Sequence, residues 1–313
     1  MGVDVVTAGE AMGLLLAESA TPLRRADRFV RSVAGSESNV AIGLARLGHS
    51  VAFCGRIGAD AAGGWVRDTL RAEGVDVRAL LEDPDRPTAV LLRDSPGTGR
   101  PVSVSYYRSG SAASALSTAD VDEELVASAR LLFVSGITAM LSPSAEDFVD
   151  RLMSVATRAG VHVAFDPNVR LRLAGAEQWR RAYARFATRM DTLLVSGEEL
   201  DVLQLPADPA RLLRGRTTTV VVTHGAGGAT ATTAEGTDRV GARAVAVADP
   251  VGAGDAFTAG WLSARLRGLP SAGALREAAA VASLVVGVPT DIAGLPTPRE
   301  RDQVLLPGGD VDR

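Results

Sequence analysis

The chain has 313 residues, 46% of them hydrophobic and 4% aromatic, which is typical of an α/β protein whose core is built from Ala, Val and Leu. Its net charge of −4 argues against nucleic acid as the main partner, and no stretch is apolar over the length needed to span a bilayer. The first residues lack the basic flank and apolar core of a signal peptide, so we expect a cytoplasmic protein with no membrane partner. All 33 basic residues are Arg, which excludes the lysine-containing P-loop as a device for binding nucleotides.

Apolar, β-branched runs alternate along the chain with segments of helical period. We predict strands over residues 3–8, 51–54, 131–135, 161–166, 192–195 and 219–223. Helices are predicted over residues 38–47, 61–73, 119–129, 144–159, 177–188, 256–267 and 272–287. Such alternation predicts one α/β domain, with a doubly wound, mainly parallel sheet flanked by helices.

Two regions, residues 14–33 and 88–108, look like strands with no helices between them. The second contains SPGTGRP (residues 95–101), which predicts a hairpin turn. Strands without crossover helices do not easily join a parallel sheet, so we expect a small β-layer built from both pieces. Over the carboxyl ends of the parallel strands, this layer would form a lid above the usual ligand crevice.

The chain contains only two Asn residues, and both stand where a predicted element begins or ends. Asn39 lies in the first turn of the helix in AGSESNVAIGLARLG, where Ser36 or Ser38 could simply be the cap and Asn39 an incidental surface residue. Because Asn is a poor helix-interior residue and this chain has almost none, a ligand-contacting role is favoured for Asn39. Asn168 follows a strand in HVAFDPNVRLRL, where Asp-Pro-Asn could be an ordinary turn. Because strand carboxyl ends line the crevice of such sheets, a ligand-contacting role is also possible for Asn168, and for Arg170 toward a phosphate or carboxylate.

Three other segments offer weaker signals. In SGEEL (residues 196–200), either both Glu residues favour a helix N-terminus or one of them holds a metal-bound water near phosphates. The glycine-rich turn THGAGGAT (residues 223–230) follows a strand and is weak evidence for a nucleotide site. In SYYRSGSAAS (residues 105–114), alternation predicts that one of the two adjacent Tyr residues faces inward.

The segment DPVGAGDAFTAGW (residues 249–261) places Asp255 directly after three small residues, where a helix begins. A helix cap could equally be Ser or Thr, and it would not need Gly252, Ala253 and Gly254 before it. Small residues let backbone N–H groups approach an anion closely. A carboxylate beside such an anion hole favours phosphoryl transfer, with the acid accepting a hydroxyl proton.

Together these motifs resemble those of the PfkB (ribokinase-like) carbohydrate kinases over essentially the whole chain. The resemblance implies a sugar kinase that uses ATP and Mg²⁺, with a possible monovalent cation, and it implies a homo-oligomer. Asp255 would be the catalytic base, and Gly252, Ala253 and Gly254 the anion hole. The family's Asn-x-x-Glu appears here as Ser196 to Glu199, so that Glu199 would hold the metal through water. The implied nucleotide-site residues are Asn168, Ser196, Thr223, Gly225, Gly227 and Gly228. The implied sugar-site residues are Gly35, Ser36, Asn39, Tyr106, Arg108, Arg170 and Asp291.

Within this family, YYRSGSAAS, FDPNVRLRL and the opening GEAM are most similar to 2-keto-3-deoxygluconate kinases. That similarity implies that Tyr106 and Arg108 contact a sugar acid. A guanidinium would be left unpaired over a neutral sugar, which favours an acidic substrate. A kinase of a neutral sugar such as fructose or ribose, and a non-catalytic sugar-binding relative, are the alternatives.

Overall fold

The computed structural model describes residues 2–18, 21–94 and 102–306, and the predicted turn of residues 95–101 lies outside this part of the chain. Its strands, in chain order, are β1 (Val5–Gly9), β2 (Met12–Ala17), β3 (Phe29–Ala34), β4 (Val51–Gly58), β5 (Leu80–Asp83), β6 (Val90–Arg93), β7 (Val104–Tyr107), β8 (Leu131–Ser135), β9 (His162–Asp166), β10 (Thr192–Ser196), β11 (Thr219–Thr223), β12 (Ala229–Thr233) and β13 (Gly236–Val240). Its helices are α1 (Ser36–Arg46), α2 (Ala61–Ala72), α3 (Glu123–Ser128), α4 (Gly136–Ala139), α5 (Pro143–Ala159), α6 (Ala176–Phe186), α7 (Gly197–Leu203), α8 (Ala253–Leu266), α9 (Ser271–Val285) and α10 (Pro298–Leu305).

The main sheet has nine strands in the order β13-β12-β11-β10-β9-β8-β1-β4-β5. The strands from β11 to β5 in this order pair in parallel, whereas β12 and β13 add an antiparallel hairpin at one edge. The predicted α/β fold with a mainly parallel sheet is confirmed. The carboxyl ends of parallel strands share one edge, which is where such sheets bind ligands.

Both faces of the main sheet are buried, and β8 illustrates how. Leu131 and Phe133 belong to one apolar cluster together with Trp261 of α8, whereas Leu132 and Val134 belong to the other together with Phe148 of α5. Side chains alternate between the two faces of a strand, so a strand covered on both sides reads as a continuous apolar run.

A second sheet of four strands has the order β3-β2-β6-β7. β2 and β6 pair in parallel, and each has an antiparallel partner, β3 and β7 respectively. Its apolar cluster is small and includes Met12, Leu14 and Leu91. The prediction that these two chain segments leave the main sheet and combine is confirmed.

Several predicted elements have different limits in the structure. The helix predicted over residues 119–129 is only α3, because the Asp122 side chain accepts the Leu125 N–H and caps the helix there. The helix predicted from residue 38 begins at Ser36. Strands β5, β12 and β13 were not predicted. None of the described helices combines the length and apolar composition that a bilayer crossing requires.

Candidate active site

Helix α8 begins in a tight turn that only glycine suits. Its N-cap, Gly252, has φ +86°, and a Cβ there would lie 2.9 Å from the Cα of Asp291. The Ala253 N–H makes only a long 3.4 Å bond to the Pro250 carbonyl. The amides of a first helical turn have no partner within the helix, so this turn offers N–H groups to an anion.

Asp255, in the first turn of α8, does not cap its own helix. Instead, Ser36 Oγ donates to its Oδ1 at 2.6 Å and Asn39 Nδ2 donates to its Oδ2 at 2.8 Å, both from α1. Asn168 Nδ2 in turn donates to Ser36 Oγ at 2.8 Å. Two of these partners are the only Asn residues of the chain. The structure therefore brings together four residues that the sequence singled out and excludes the capping interpretation.

The surroundings of Asp255 make its carboxylate a better proton acceptor. Burial raises its pKa, while the hydrogen bonds from Ser36 and Asn39 and the charge of Arg170 oppose that rise. A base whose pKa lies closer to neutrality holds an abstracted proton more readily. Gly35, at the N-cap of α1, has φ +134° and fixes where Ser36 begins the helix.

A cavity of about 420 Å³ opens beside Asp255, between the two sheets. The second sheet contributes Leu91, Arg93, Val104 and Tyr106, and the turn of α8 contributes Gly252 and Gly254. The other predicted site residues on its wall are Asn168, Arg170, Ser196, Glu199, Thr223 and Asp291. A volume of this size lies within the range of small-molecule binding sites.

Asp166 and Glu199 form an acidic wall of this cavity. Burial raises the pKa of Asp166 well above its ordinary value, and the charges of Glu199 and Asp255 add to the rise. Glu199 accepts the N–H groups of Val169 at 2.6 Å and Ser196 at 2.7 Å, so it caps α7 and also ties down the loop after β9. Asp166 was not predicted as a site residue.

These acids fit an indirectly held Mg²⁺. The charge of Glu199 helps to raise the pKa of Asp166, and a divalent cation would relieve this repulsion, since carboxylate oxygens are its preferred protein ligands. Among residues 2–18, 21–94 and 102–306, no three acidic, His or Cys side chains are arranged to ligate a metal directly. Glu199 already accepts two N–H groups, which fits contact through water.

Arg93, the last residue of β6, was not predicted as a site residue. Its buried guanidinium pairs with Asp249 Oδ2 at 2.9 Å and Asp291 Oδ1 at 3.1 Å, and donates to the Pro289 carbonyl at 3.0 Å. The pKa of Asp291 is raised to about 6, chiefly by burial; the charge of Arg93 opposes this rise, and those of Asp255 and Asp249 add to it.

Arg108 does not line the cavity, and its guanidinium is already paired. It contacts the carboxylate of Glu10, which is 1% exposed and also accepts Ser111 Oγ at 2.9 Å. The expectation that a neutral sugar would leave this guanidinium unpaired is therefore wrong. Tyr106 faces the cavity with Arg108 near its ring, but 49% of it is exposed, so its hydroxyl needs no protein partner.

The glycine-rich turn after β11 lies apart from the cavity wall. Gly225 and Gly227 are exposed in a short 3-10 turn. Gly228 has φ +89°, and a Cβ there would lie 2.0 Å from the carbonyl oxygen of Val240 at the end of β13. The close approach of these two backbone segments therefore requires glycine at this position. Of the predicted nucleotide residues in this segment, only Thr223 reaches the cavity.

Known proteins resemble this chain over nearly its whole length. Residues 4–298 match the model of a family described as pfkB family carbohydrate kinase. A 2-dehydro-3-deoxygluconokinase of Bacillus subtilis is 36% identical over 305 residues, covering 95% of this chain and 94% of that protein. A protein of the same name from Thermoproteus tenax is 35% identical, and the match covers 97% of this chain and 94% of that protein. Among solved structures, a fructokinase from Xylella fastidiosa with bound ATP has a TM-score of 0.84 at 26% identity, covering 96% of this chain and 98% of the other.

Proposed function

The chain belongs to the pfkB family of carbohydrate kinases, and we propose that it transfers the γ-phosphoryl group of ATP to a hydroxyl of 2-keto-3-deoxygluconate (2-dehydro-3-deoxygluconate). The observation that carries the reaction type is the position of Asp255. Its carboxylate is held by Ser36 and Asn39 at the open N-terminus of α8, on the wall of a cavity between two sheets. A proton acceptor and an anion-binding turn are thus adjacent, as phosphoryl transfer requires.

In the proposed mechanism, the sugar hydroxyl lies against Asp255. As its oxygen forms the new bond to the γ-phosphorus, the hydroxyl proton passes to the Asp255 carboxylate and the bond from phosphorus to the ADP oxygen breaks. The amides of the Gly252–Gly254 turn stabilise the charge of the transferred group. Mg²⁺, held through water by Glu199 with Asp166 nearby, would neutralise phosphate charge. The second sheet would act as a lid that excludes water from the cavity.

The nucleotide assignment is also a proposal. Support comes from the family and from the ATP-bound fructokinase, which is similar over almost the entire chain. Ser196, Thr223 and Asn168 lie on the same wall as the turn of α8, at the carboxyl ends of the strands. A monovalent cation, a homo-oligomer and a cytoplasmic location all stay predictions.

The choice of a sugar acid rests on two relatives that share this name at 35–36% identity. Arg170 and Tyr106, on the cavity wall, would receive the carboxylate end of the sugar. A neutral sugar such as fructose is the second candidate. One observation favours it: Glu10 already neutralises Arg108, so that guanidinium does not need a substrate carboxylate. The presence of Asp255 with its turn argues against a non-catalytic relative.

A coupled assay of ADP release over sugar acids and neutral sugars tests the proposal. Asp255→Asn should retain sugar binding in calorimetry but lose about 10²–10⁴-fold in kcat, because a general base is removed at constant shape. Asp122→Asn is the matched control. Asp122 caps α3, and Asn is an equally good cap, so turnover should be unchanged. Near-normal kcat in Asp255→Asn would exclude Asp255 as the base, and faster turnover of fructose than of any sugar acid would establish the second candidate.

A further inference from the structure

Arg93 joins the second sheet to the turn that begins α8. Arg93 is the last residue of β6, but the partners of its guanidinium all lie on the other side of the cavity: it forms ion pairs with Asp249 and Asp291 and donates a hydrogen bond to the Pro289 carbonyl. Asp249 precedes the α8 turn, and Pro289 and Asp291 lie in the loop after α9. The side chain is 2% exposed, so these bonds are shielded from water and weakly screened by salt.

The two acids that Arg93 holds form the two sides of the anion-binding turn. Asp249 Oδ1 accepts the Val251 N–H at 3.0 Å, which sets the direction of the chain as it enters the turn. On the other side, the backbone of Asp291 packs so closely on Gly252 that a Cβ would lie 2.9 Å from both its Cα and its carbonyl oxygen. A shift of either acid therefore displaces the turn itself.

Electrostatics make the turn dependent on Arg93. Asp249, Asp255 and Asp291 lie near one another, and the charges of the other two raise the pKa of Asp291 even with Arg93 present. Without the guanidinium, three carboxylates would repel one another around Gly252, with no compensating positive charge from β6.

We propose that Arg93 is a positioning residue that makes the geometry of the anion-binding turn depend on where the second sheet lies. The catalytic consequence rests on the proposed kinase function: the turn is fixed for phosphoryl transfer only when β6 lies over the cavity. The coupling runs through the Arg93 side chain and its two acidic partners. When the guanidinium moves with β6, Asp249 and Asp291 move with it, and they displace the backbone amides of residues 252–254.

The first test needs no substrate. Hydrogen exchange of peptides covering residues 249–256 should be faster in Arg93→Ala than in the wild-type chain. Arg31→Ala is the matched control, because Arg31 lies on β3 of the same sheet, exposed and stacked over Trp65, with no contact to the α8 turn. Its exchange over residues 249–256 should equal that of the wild type. Unchanged exchange in a folded Arg93→Ala protein would overturn the proposal.

The second test uses whichever sugar the ADP-release panel identifies. Arg93→Ala should lose about 10²-fold or more in kcat, as expected when a buried charge cluster loses its counter-charge, with a smaller change in KM for the sugar. Guanidinium chloride at about 50 mM, far below denaturing concentrations, should restore part of the kcat of Arg93→Ala and none in Arg31→Ala. If Arg93→Ala does not fold, Arg93→Lys replaces it, because an ammonium keeps the charge but not the two-sided fork, and its kcat should be intermediate.

The outcomes separate this proposal from the function it rests on. If no sugar in the panel is phosphorylated, the proposed kinase function is refuted. The positioning role of Arg93 can still be tested, because the exchange experiment does not depend on turnover. A kcat of Arg93→Ala within threefold of the wild type, or rescue that is equal in Arg31→Ala, would overturn the positioning role even if the sugar is phosphorylated. Faster exchange together with selective rescue would establish it.

Discussion

Replacing Arg108 with Met should lower the free energy of unfolding, and this effect has to be separated from any effect on substrate specificity. Glu10 is 1% exposed, and once the guanidinium is removed the contact that remains for its carboxylate is the hydroxyl of Ser111. Breaking a buried ion pair from one side costs about 3–5 kcal/mol, and the partial exposure of Arg108 places the expected loss near the lower value. The measurement is urea unfolding near neutral pH, where Glu10 is charged in the unfolded chain.

The pH dependence of this loss follows from the pKa of Glu10. Burial raises that pKa, and the charge of Arg108 opposes the rise. In Arg108→Met the opposition is gone, so the folded-state pKa moves further above the unfolded value. An acid whose pKa is higher in the folded state than in the unfolded state does not reduce stability below its unfolded pKa. The free energy of unfolding then falls as the pH rises from the unfolded pKa toward the folded pKa. The deficit of Arg108→Met relative to wild type should therefore shrink in acid and grow toward neutral pH.

The double variant Glu10→Gln/Arg108→Met separates stability from specificity. Removing the buried charge along with its partner should recover most of the lost free energy of unfolding, because the Gln carbonyl still accepts Ser111. Arg108 could also contribute a hydrogen bond to a substrate carboxylate when the lid closes. In that case the double variant should lose about 1.5–3 kcal/mol of transition-state stabilisation, measured from kcat/KM, for 2-keto-3-deoxygluconate and little for fructose. Equal losses on both sugars would refute that role, and an unrecovered stability loss would refute the ion-pair account.

Three further predictions concern the helix termini and the second sheet. Glu37, buried with Oε1 accepting Ser135 and Thr138, has its pKa raised from 4.5 to about 7, so wild-type stability should fall as the pH rises through that interval. Glu37→Gln should lack this fall. The difference in free energy of unfolding between Glu37→Gln and wild type should therefore shift in favour of the variant by on the order of 3 kcal/mol from acid to mildly alkaline pH. Parallel pH profiles of the two proteins would contradict this prediction. Gly252→Ala should lose stability by about 1–3 kcal/mol and turnover as well, whereas Gly64→Ala, whose Cβ would meet nothing within 4 Å, should lose neither. Adding sugar should slow hydrogen exchange in residues 12–17 and 90–93, and unchanged exchange with sugar demonstrably bound would remove the lid role.

Much of the fold could be predicted because apolar periodicity records burial directly. Strands buried on both faces, such as β8 and β11, have continuous apolar sequences and were located almost to the residue. β13 was not found, because its sequence GTDRV is largely exposed at the sheet edge and carries no apolar pattern. Edge strands are held by backbone pairing with one neighbour, and the sequence gives little sign of this.

The candidate site could be predicted where rarity or spacing marked a residue. The two Asn residues stood out because the chain has no others, and both belong to the network around Asp255. Arg93 did not stand out, since every basic residue is Arg. In the structure Arg93 shares a face of β6 with the buried Leu91, but the sequence VLLR is apolar at all three preceding positions and does not mark that face. The pairing of Arg108 with Glu10 joins residues 98 apart, which no local pattern could show.

The hydrogen bond between Ser36 and Asp255 joins positions 219 residues apart in the chain. During translation at about 5–20 residues per second, α1 therefore waits on the order of 10–40 s for α8 to be synthesised. In that interval the face of α1 around Gly43, which Ala259 later covers, has no partner from α8. A polypeptide released before residue 253 lacks Ala253, Gly254 and Asp255, so under the proposed mechanism premature termination yields no partially active fragment. The nascent chain therefore gains the proposed site only after α8 has been synthesised.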